Sequence, residues 1–275
     1  ISETSLWNDH PVVAGCLRDL AVLLQATNRR AEAEPLLRRA LGILEKNAGN
    51  DHPDVAIALS NLAELLETTN RLAEAEPLMC RALGILEKSF GLDHPRVAAA
   101  LYALASLLET TNRRAEAEPL MRRALAIDEK SFGTDHPDVA RDLMSLGQLL
   151  ETSSRLAEAE PLYRRSLRIV EKSFGIDHPN VAQALTDLAL LFQATNRLAE
   201  AEPLMRRSLA ISEQSYGTDH PDVARGLSNL AGLLQAANRL AEAEPLGRRA
   251  LGIWEKSLGN DHPNVAIALS NLAAL

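Results

Sequence analysis

Apolar positions along this chain form two alternating helical stripes, and the alternation recurs. In the stretch Asp51–Leu92, Val55, Leu59, Leu62, Ala63 and Leu66 fall at i, i+4, i+7, i+8 and i+11, one face of an amphipathic helix. Asp51-His52-Pro53-Asp54 is its start signal: Asp51 or His52 caps, Pro53 fits the first turn, and Asp54 favours the positive end of the helix dipole. Asn70 stops the helix, because Asn tolerates the left-handed conformation required there. Arg71 and Leu72 turn the chain. A second helix from about Ala73 buries Ala75, Leu78, Met79, Ala82, Leu83 and Leu86, with Glu74 and Glu76 near its start, Lys88 near its end and Gly91 as its stop. Pro77 falls some five residues into that helix, past the tolerated position, and predicts a small bend or a 3₁₀-like first turn rather than a break.

This pair of helices is one of a series. All seven histidines sit in Asp-His-Pro triplets, His10, His52, His94, His136, His178, His220 and His262, each 42 residues after the last. Six of the thirteen prolines complete a second ladder at the same step: Pro35, Pro77, Pro119, Pro161, Pro203 and Pro245. The five lysines, Lys46, Lys88, Lys130, Lys172 and Lys256, share one repeat position. A period of this length means a stacked array. The chain divides into units at residues 9–50, 51–92, 93–134, 135–176, 177–218 and 219–260, with partial units at 1–8 and 261–275, all within a single repeat array.

Composition narrows the function classes. A hydrophobic content of 46% with 24% charged residues is that of a folded chain. No apolar run approaches the ~18 residues of a membrane span, and a net charge of -8 argues against nucleic acid as a ligand. Cys16 and Cys80 occupy different repeat positions and form no metal or redox spacing, which predicts a reducing compartment, the cytoplasm.

The pattern Asn61-Leu62-Ala63, Leu66, Ala75 and Ala82-Leu83 resembles the tetratricopeptide repeat (TPR), which places small residues where Ala63, Ala75 and Ala82 stand because its helices cross closely there. The usual unit is 34 residues. The 42-residue period, with Asp-His-Pro opening the first helix after a Phe-Gly loop, resembles the kinesin light chain subclass and its bacterial relatives. The array departs from the usual pattern near the second-helix centre, where only Tyr163 is aromatic among Leu37, Met79, Met121, Met205 and Gly247. The resemblance implies an all-α, right-handed superhelical solenoid of stacked antiparallel helix pairs, with first helices lining a concave groove. In such arrays other domains often adjoin, and both chain ends fall within a repeat, so a piece of a longer protein is expected. Ile1 and Leu6 at one end and Val265, Leu269, Leu272 and Ala273 at the other are expected to expose apolar surface and to support weak head-to-tail self-association.

Four first-helix positions are expected to face the groove, and they vary while packing positions barely change. They supply the candidate partner-binding residues Arg18, Asn61, Glu64, Tyr102, Arg141, Met144, Gln148, Gln183, Asp187, Leu190, Arg225 and Asn229. Tyr102, Met144 and Leu190 put apolar surface where drift favours polar residues, as anchors for a peptide, a helix or a protein partner. Chemistry finds no such support. The histidines share one helix-start context at successive spacings of ~10 Å, too far apart for shared ligation. Arg122-Arg123 and its equivalents are matched by Glu residues one turn earlier. No phosphate loop, nucleophile elbow or zinc spacing is present. The expectation is a non-catalytic scaffold with no cofactor and no metal. Its alternative is an architectural spacer or self-assembling array with no groove ligand.

Overall fold

In a computed structural model that describes residues 9–273, each Asp-His-Pro triplet opens a helix. The first helices are α1 (Pro11–Ala26), α3 (Pro53–Thr68), α5 (Pro95–Thr110), α7 (Pro137–Thr152), α9 (Pro179–Ala194), α11 (Pro221–Ala236) and α13 (Pro263–Ala273). The second helices are α2 (Arg30–Ala48), α4 (Leu72–Phe90), α6 (Arg114–Phe132), α8 (Leu156–Phe174), α10 (Leu198–Tyr216) and α12 (Leu240–Leu258). These thirteen helices are the only regular elements among the described residues.

The triplet divides three tasks. His52 is the cap: its Nδ1 accepts the Asp54 backbone N–H at 3.2 Å, and all seven histidines do the same, at 3.1–3.3 Å. Proline takes the first helical position, where a missing N–H costs nothing. In five of the seven triplets the aspartate points elsewhere, to the lysine at the end of the following second helix: Asp9 to Lys46, Asp51 to Lys88, Asp93 to Lys130, Asp135 to Lys172 at 2.5 Å and Asp219 to Lys256 at 2.9 Å. Asn70 adopts φ 60° and closes the first helix, and Gly91 at φ 86° closes the second. Pro77 lies inside a continuous α-helix that begins at Leu72 with Arg71 in the cap position. The helix does not break at Pro77, and its first turn carries an i→i+3 bond from the Glu74 N–H to the Arg71 carbonyl at 3.1 Å beside the α-type bond from the Ala75 N–H at 3.2 Å.

The chain forms two compact units, one ending at Thr134 and the other beginning at Asp135. Within each, a first helix packs on the second helix that follows it, and that helix packs on the first helix of the next repeat. In the unit ending at Thr134, Val55, Leu59, Ala82, Ile85, Val97, Leu101, Ala124 and Ile127 form one buried cluster. In the unit from Asp135, Val223, Leu227, Ala250, Ile253, Trp254 and Val265 form another. Each fully buried leucine contributes roughly 1.5–3 kcal/mol of transfer free energy. Leu78 and Leu83, expected in the core, are only half-buried against it. Val265, expected on an exposed face, is 2% exposed against α12, while Leu269 on the same helix is 50% exposed. Ile1 and Leu6 lie outside the described residues.

Arginines join successive repeats. Arg71, in the cap position of its helix, bonds the Glu74 carboxylate and reaches back to Glu34 of the preceding repeat at 2.7 Å. Arg113–Glu76, Arg197–Glu160 and Arg239–Glu202 repeat the link. Arg122 bonds Glu118 within its helix, as the four-residue spacing predicts, but its neighbour Arg123 crosses to Glu87 of the preceding repeat at 2.6 Å. The paired arginines are therefore an ion-paired face.

Candidate partner-binding surface

Between successive first helices the intervening second helix forms the floor of a hollow. In the first unit, Arg18 lines one of about 160 Å³ with Gly15, Leu37 and Asp54, and Glu64 lines another of about 150 Å³ with Ser60, Glu67 and Met79. Asn61 and Tyr102 are half-buried on the same line of positions. Burial raises the proton affinity of Glu67, as does the neighbouring Glu64 charge, and burial raises that of Glu109.

The second unit holds the larger hollows. Arg141, Met144 and Gln183 line one of about 340 Å³ with Asp138, Ser166, Val170 and Phe174. Gln183, Arg225 and Asn229 line another of about 280 Å³ with Thr186, Ser208, Ser212, Tyr216 and Asp222. Asn180 and Gln183 belong to both, so the two open side by side. Arg141 bonds Asp138 at 2.9 Å and Arg225 bonds Asp222 at 3.1 Å, yet both arginine side chains stay more than half exposed. Gln148 and Leu190 are exposed on the same helices. The line of positions picked out in the sequence is therefore accessible, with one correction. Asp187, expected on the surface, is only 8% exposed.

Several residues of this surface escaped the sequence reading. Ser166 and Ser208 stand where Ala40, Ala82, Ala124 and Ala250 pack elsewhere. Each is buried and bonds a carbonyl of the preceding first helix, Ala140 and Ala182 respectively, at 2.8 Å. Ser208 also shares a hydrogen bond with Thr186. A hydroxyl breaking an otherwise alanine column was the available signal. Phe174 and Tyr216, the last residues of α8 and α10, each line one of the two hollows and stack on a capping histidine at 4.8 Å between ring centroids.

A second departure lies beneath the surface. The ring of Tyr163 occupies the space over Gly147, where a Cβ would meet its Cε1 at 2.7 Å, and its hydroxyl donates to Glu151 at 2.8 Å. Burial and the facing Glu151 carboxylate push the Tyr163 phenol well above the ordinary tyrosine range. Burial, aided by the Glu151 charge, pushes Asp187 up to about 6, against the opposing Gln183 hydrogen bond and Arg225 charge. Among the described residues no group of three or more His, Cys, Asp or Glu side chains is arranged to hold a metal ion, and no helix is long and apolar enough to cross a membrane.

Helix pairs of 16 and 19 residues, stacked at a fixed period with small residues at each crossing, define a helical repeat array. Residues 12–88, 54–130, 96–172, 143–214, 193–256 and 222–275 each match the tetratricopeptide repeat, and the chain belongs to that family. No curated protein matches the sequence. Among solved structures it is similar to BtubC (BKLC) from P. vanneervenii, at 22% identity over 86% of this chain and 93% of that one, with a TM-score of 0.71. A kinesin light chain-type protein of Podosopora anserina with nearly identical TPR-like repeats is 24% identical over 75% of this chain and 98% of its own, with a TM-score of 0.67. The TPR sensor-bearing signal transduction ATPase PH0952 from Pyrococcus horikoshii is 16% identical over 94% of this chain and 38% of its own, with a TM-score of 0.75. At these identities the likeness is one of fold.

Proposed function

We propose that this chain is a non-catalytic protein–protein interaction scaffold whose first-helix face seats a peptide, a helix or a segment of a protein partner. The observation that carries the reading is the pair of adjoining hollows in the second unit, lined by Arg141, Met144, Gln183, Arg225 and Asn229. These side chains differ between repeats whose packing positions are nearly invariant. An apolar Met144 beside half-exposed guanidinium and amide groups is the mixture a partner segment uses, one anchor for area and several polar groups for orientation. In the first unit Arg18, Asn61, Glu64 and Tyr102 extend the same kind of surface.

Capture of binding proteins by the immobilised chain tests this. Wild type is compared with the Arg141→Ala/Met144→Ala variant and, separately, with Tyr102→Ala, after circular dichroism has matched their helix content. Loss of a partner in either variant is the expected result. Identical partner lists for all three would overturn the reading and leave an architectural spacer, whose stacked repeats set a distance.

A further inference from the structure

Two successive turns of α10 depart from the array where they line the hollow of about 280 Å³. Ser208 stands, like Ser166, in a column of alanines. Ser212, one turn further on, stands where other repeats carry Leu44, Leu86, Asp128, Val170 and Trp254. Thr186 of α9 faces them and lines the same hollow. The three hydroxyls are contiguous, and their protons are turned inward. Ser208 donates to the Ala182 carbonyl at 2.8 Å, Thr186 reaches that carbonyl at 2.9 Å and Ser208 at 2.8 Å, and Ser212 donates to the Ser208 carbonyl at 3.0 Å. A hydroxyl has one proton and two lone pairs. With the protons committed to the protein, Thr186 and Ser212 present acceptors to the hollow.

Helix α11 supplies the opposite polarity. Arg225 spends one nitrogen on Asp222 at 3.1 Å and keeps further N–H groups on a side chain 60% exposed. Asn229 adds a half-buried amide. Arg225 and Asp222 cancel within the same wall, so the hollow has donors and acceptors but no net charge. A carboxylate entering it would meet hydroxyl lone pairs and the Asp222 carboxylate. An ammonium or guanidinium would meet Arg225. We propose that this hollow is a subsite for the primary carboxamide of an asparagine or glutamine side chain in the partner segment. The inference rests on the groove reading above. A carboxamide carries two N–H donors and one acceptor oxygen. Its NH₂ group donates to Thr186 and Ser212, and its oxygen accepts from Arg225 or Asn229. Bonding at both ends is what selects it, because a group with only one polarity leaves half of the lining unmatched on desolvation.

The test uses the full ¹⁵N-labelled chain at pH 7 and constant ionic strength, with propionamide as probe. The Asn229 side-chain amide and the Gly226 backbone amide, both at the hollow, are expected to shift saturably, with a Kd in the millimolar range. Absence of saturable shifts overturns the proposal. Propionate and propylammonium have nearly the same shape and carry a charge. Both are expected to bind more weakly, and tighter binding of either overturns the carboxamide assignment. N-methylpropionamide has one N–H in place of two. Equal or tighter binding of it also overturns the assignment, in favour of a main-chain amide. Thr186→Val keeps the shape, removes one acceptor and is expected to weaken propionamide about fivefold. Ser212→Leu restores the residue that two other repeats use, so its folding is secure. It is expected to weaken the probe more than about tenfold, and unchanged binding in it overturns the proposal. Propionamide binds without any partner, so failure here leaves the capture experiment to decide the groove independently.

Discussion

Ala63 and Met79 in the second repeat occupy the same places as Gly147 and Tyr163 in the fourth. Both pairs are buried where a first helix crosses its second, yet they fill the crossing differently. Ala63 is 0% exposed and Met79 6%, and flexible thioether bulk closes the gap. In the fourth repeat the methyl is gone and a ring lies over the bare glycine, with its hydroxyl delivered to Glu151. Glu67, the equivalent of Glu151, sits in the second repeat with its proton affinity raised by burial and by Glu64. The comparison teaches that an array of near-identical units changes character by paired substitutions. Bulk added on one helix is removed from its neighbour, and the polar group introduced with it is given a partner. The altered crossing lies beside Asp187, so a change in packing in one repeat is linked to a change in charge in the next.

That compensation can be broken directly. Gly147→Ala forces a Cβ into the ring of a tyrosine that is 1% exposed and is expected to cost about 1–3 kcal/mol in urea denaturation. Adding Tyr163→Met recreates the pair found in the second repeat and is expected to recover most of the loss, a coupling of about 1–2 kcal/mol. Simple addition of the two single effects would show the pair to be independent. Ala124→Leu, in the first unit's cluster, is a reference with no compensating hole. It is expected to cost a similar ~1–3 kcal/mol that no change at one neighbouring side chain restores.

An effect of opposite sign is expected at Asp187. Its proton affinity is raised in the fold, so the associated stability is present below the ordinary carboxylate value and is lost as pH rises through about 6. Thermal unfolding of the wild type is therefore expected to show a gain in stability on going from pH 7 towards pH 4, against the background of other groups. Asp187→Asn is expected to remove that component and to raise stability at pH 7 by about 1–3 kcal/mol. A variant less stable than wild type at pH 7 would falsify the view that this carboxylate is held at a cost. His178→Ala, which removes one of the seven caps, is expected to lose about 1 kcal/mol, and His178→Asn much less. Smallest of all is Lys88→Ala. It breaks a solvent-exposed pair with Asp51, and the denaturation midpoint is expected to stay within error.

The sequence by itself determined the period, the boundaries of every helix to within about two residues, the stops at Asn70 and Gly91, and the buried stripe of the first helix. All of these are written in local spacing: a cap and its helix are neighbours in the chain, and one helical face is a matter of steps of three and four residues. The line of variable first-helix positions was legible for the same reason. What the tertiary structure decided are relations that span a repeat. In five of the seven Asp-His-Pro triplets the aspartate serves a lysine 37 residues on rather than the cap, and the second arginines Arg123, Arg207 and Arg249 reach 36 residues back. Gly147 receives Tyr163, and Asp187 sinks beside Glu151 while its counterparts Asn61 and Asn229 remain half-buried. A periodic sequence states which positions are equivalent. Which of them touch depends on how closely and at what angle the helices cross, and that is fixed only when side chains from separate repeats pack against one another.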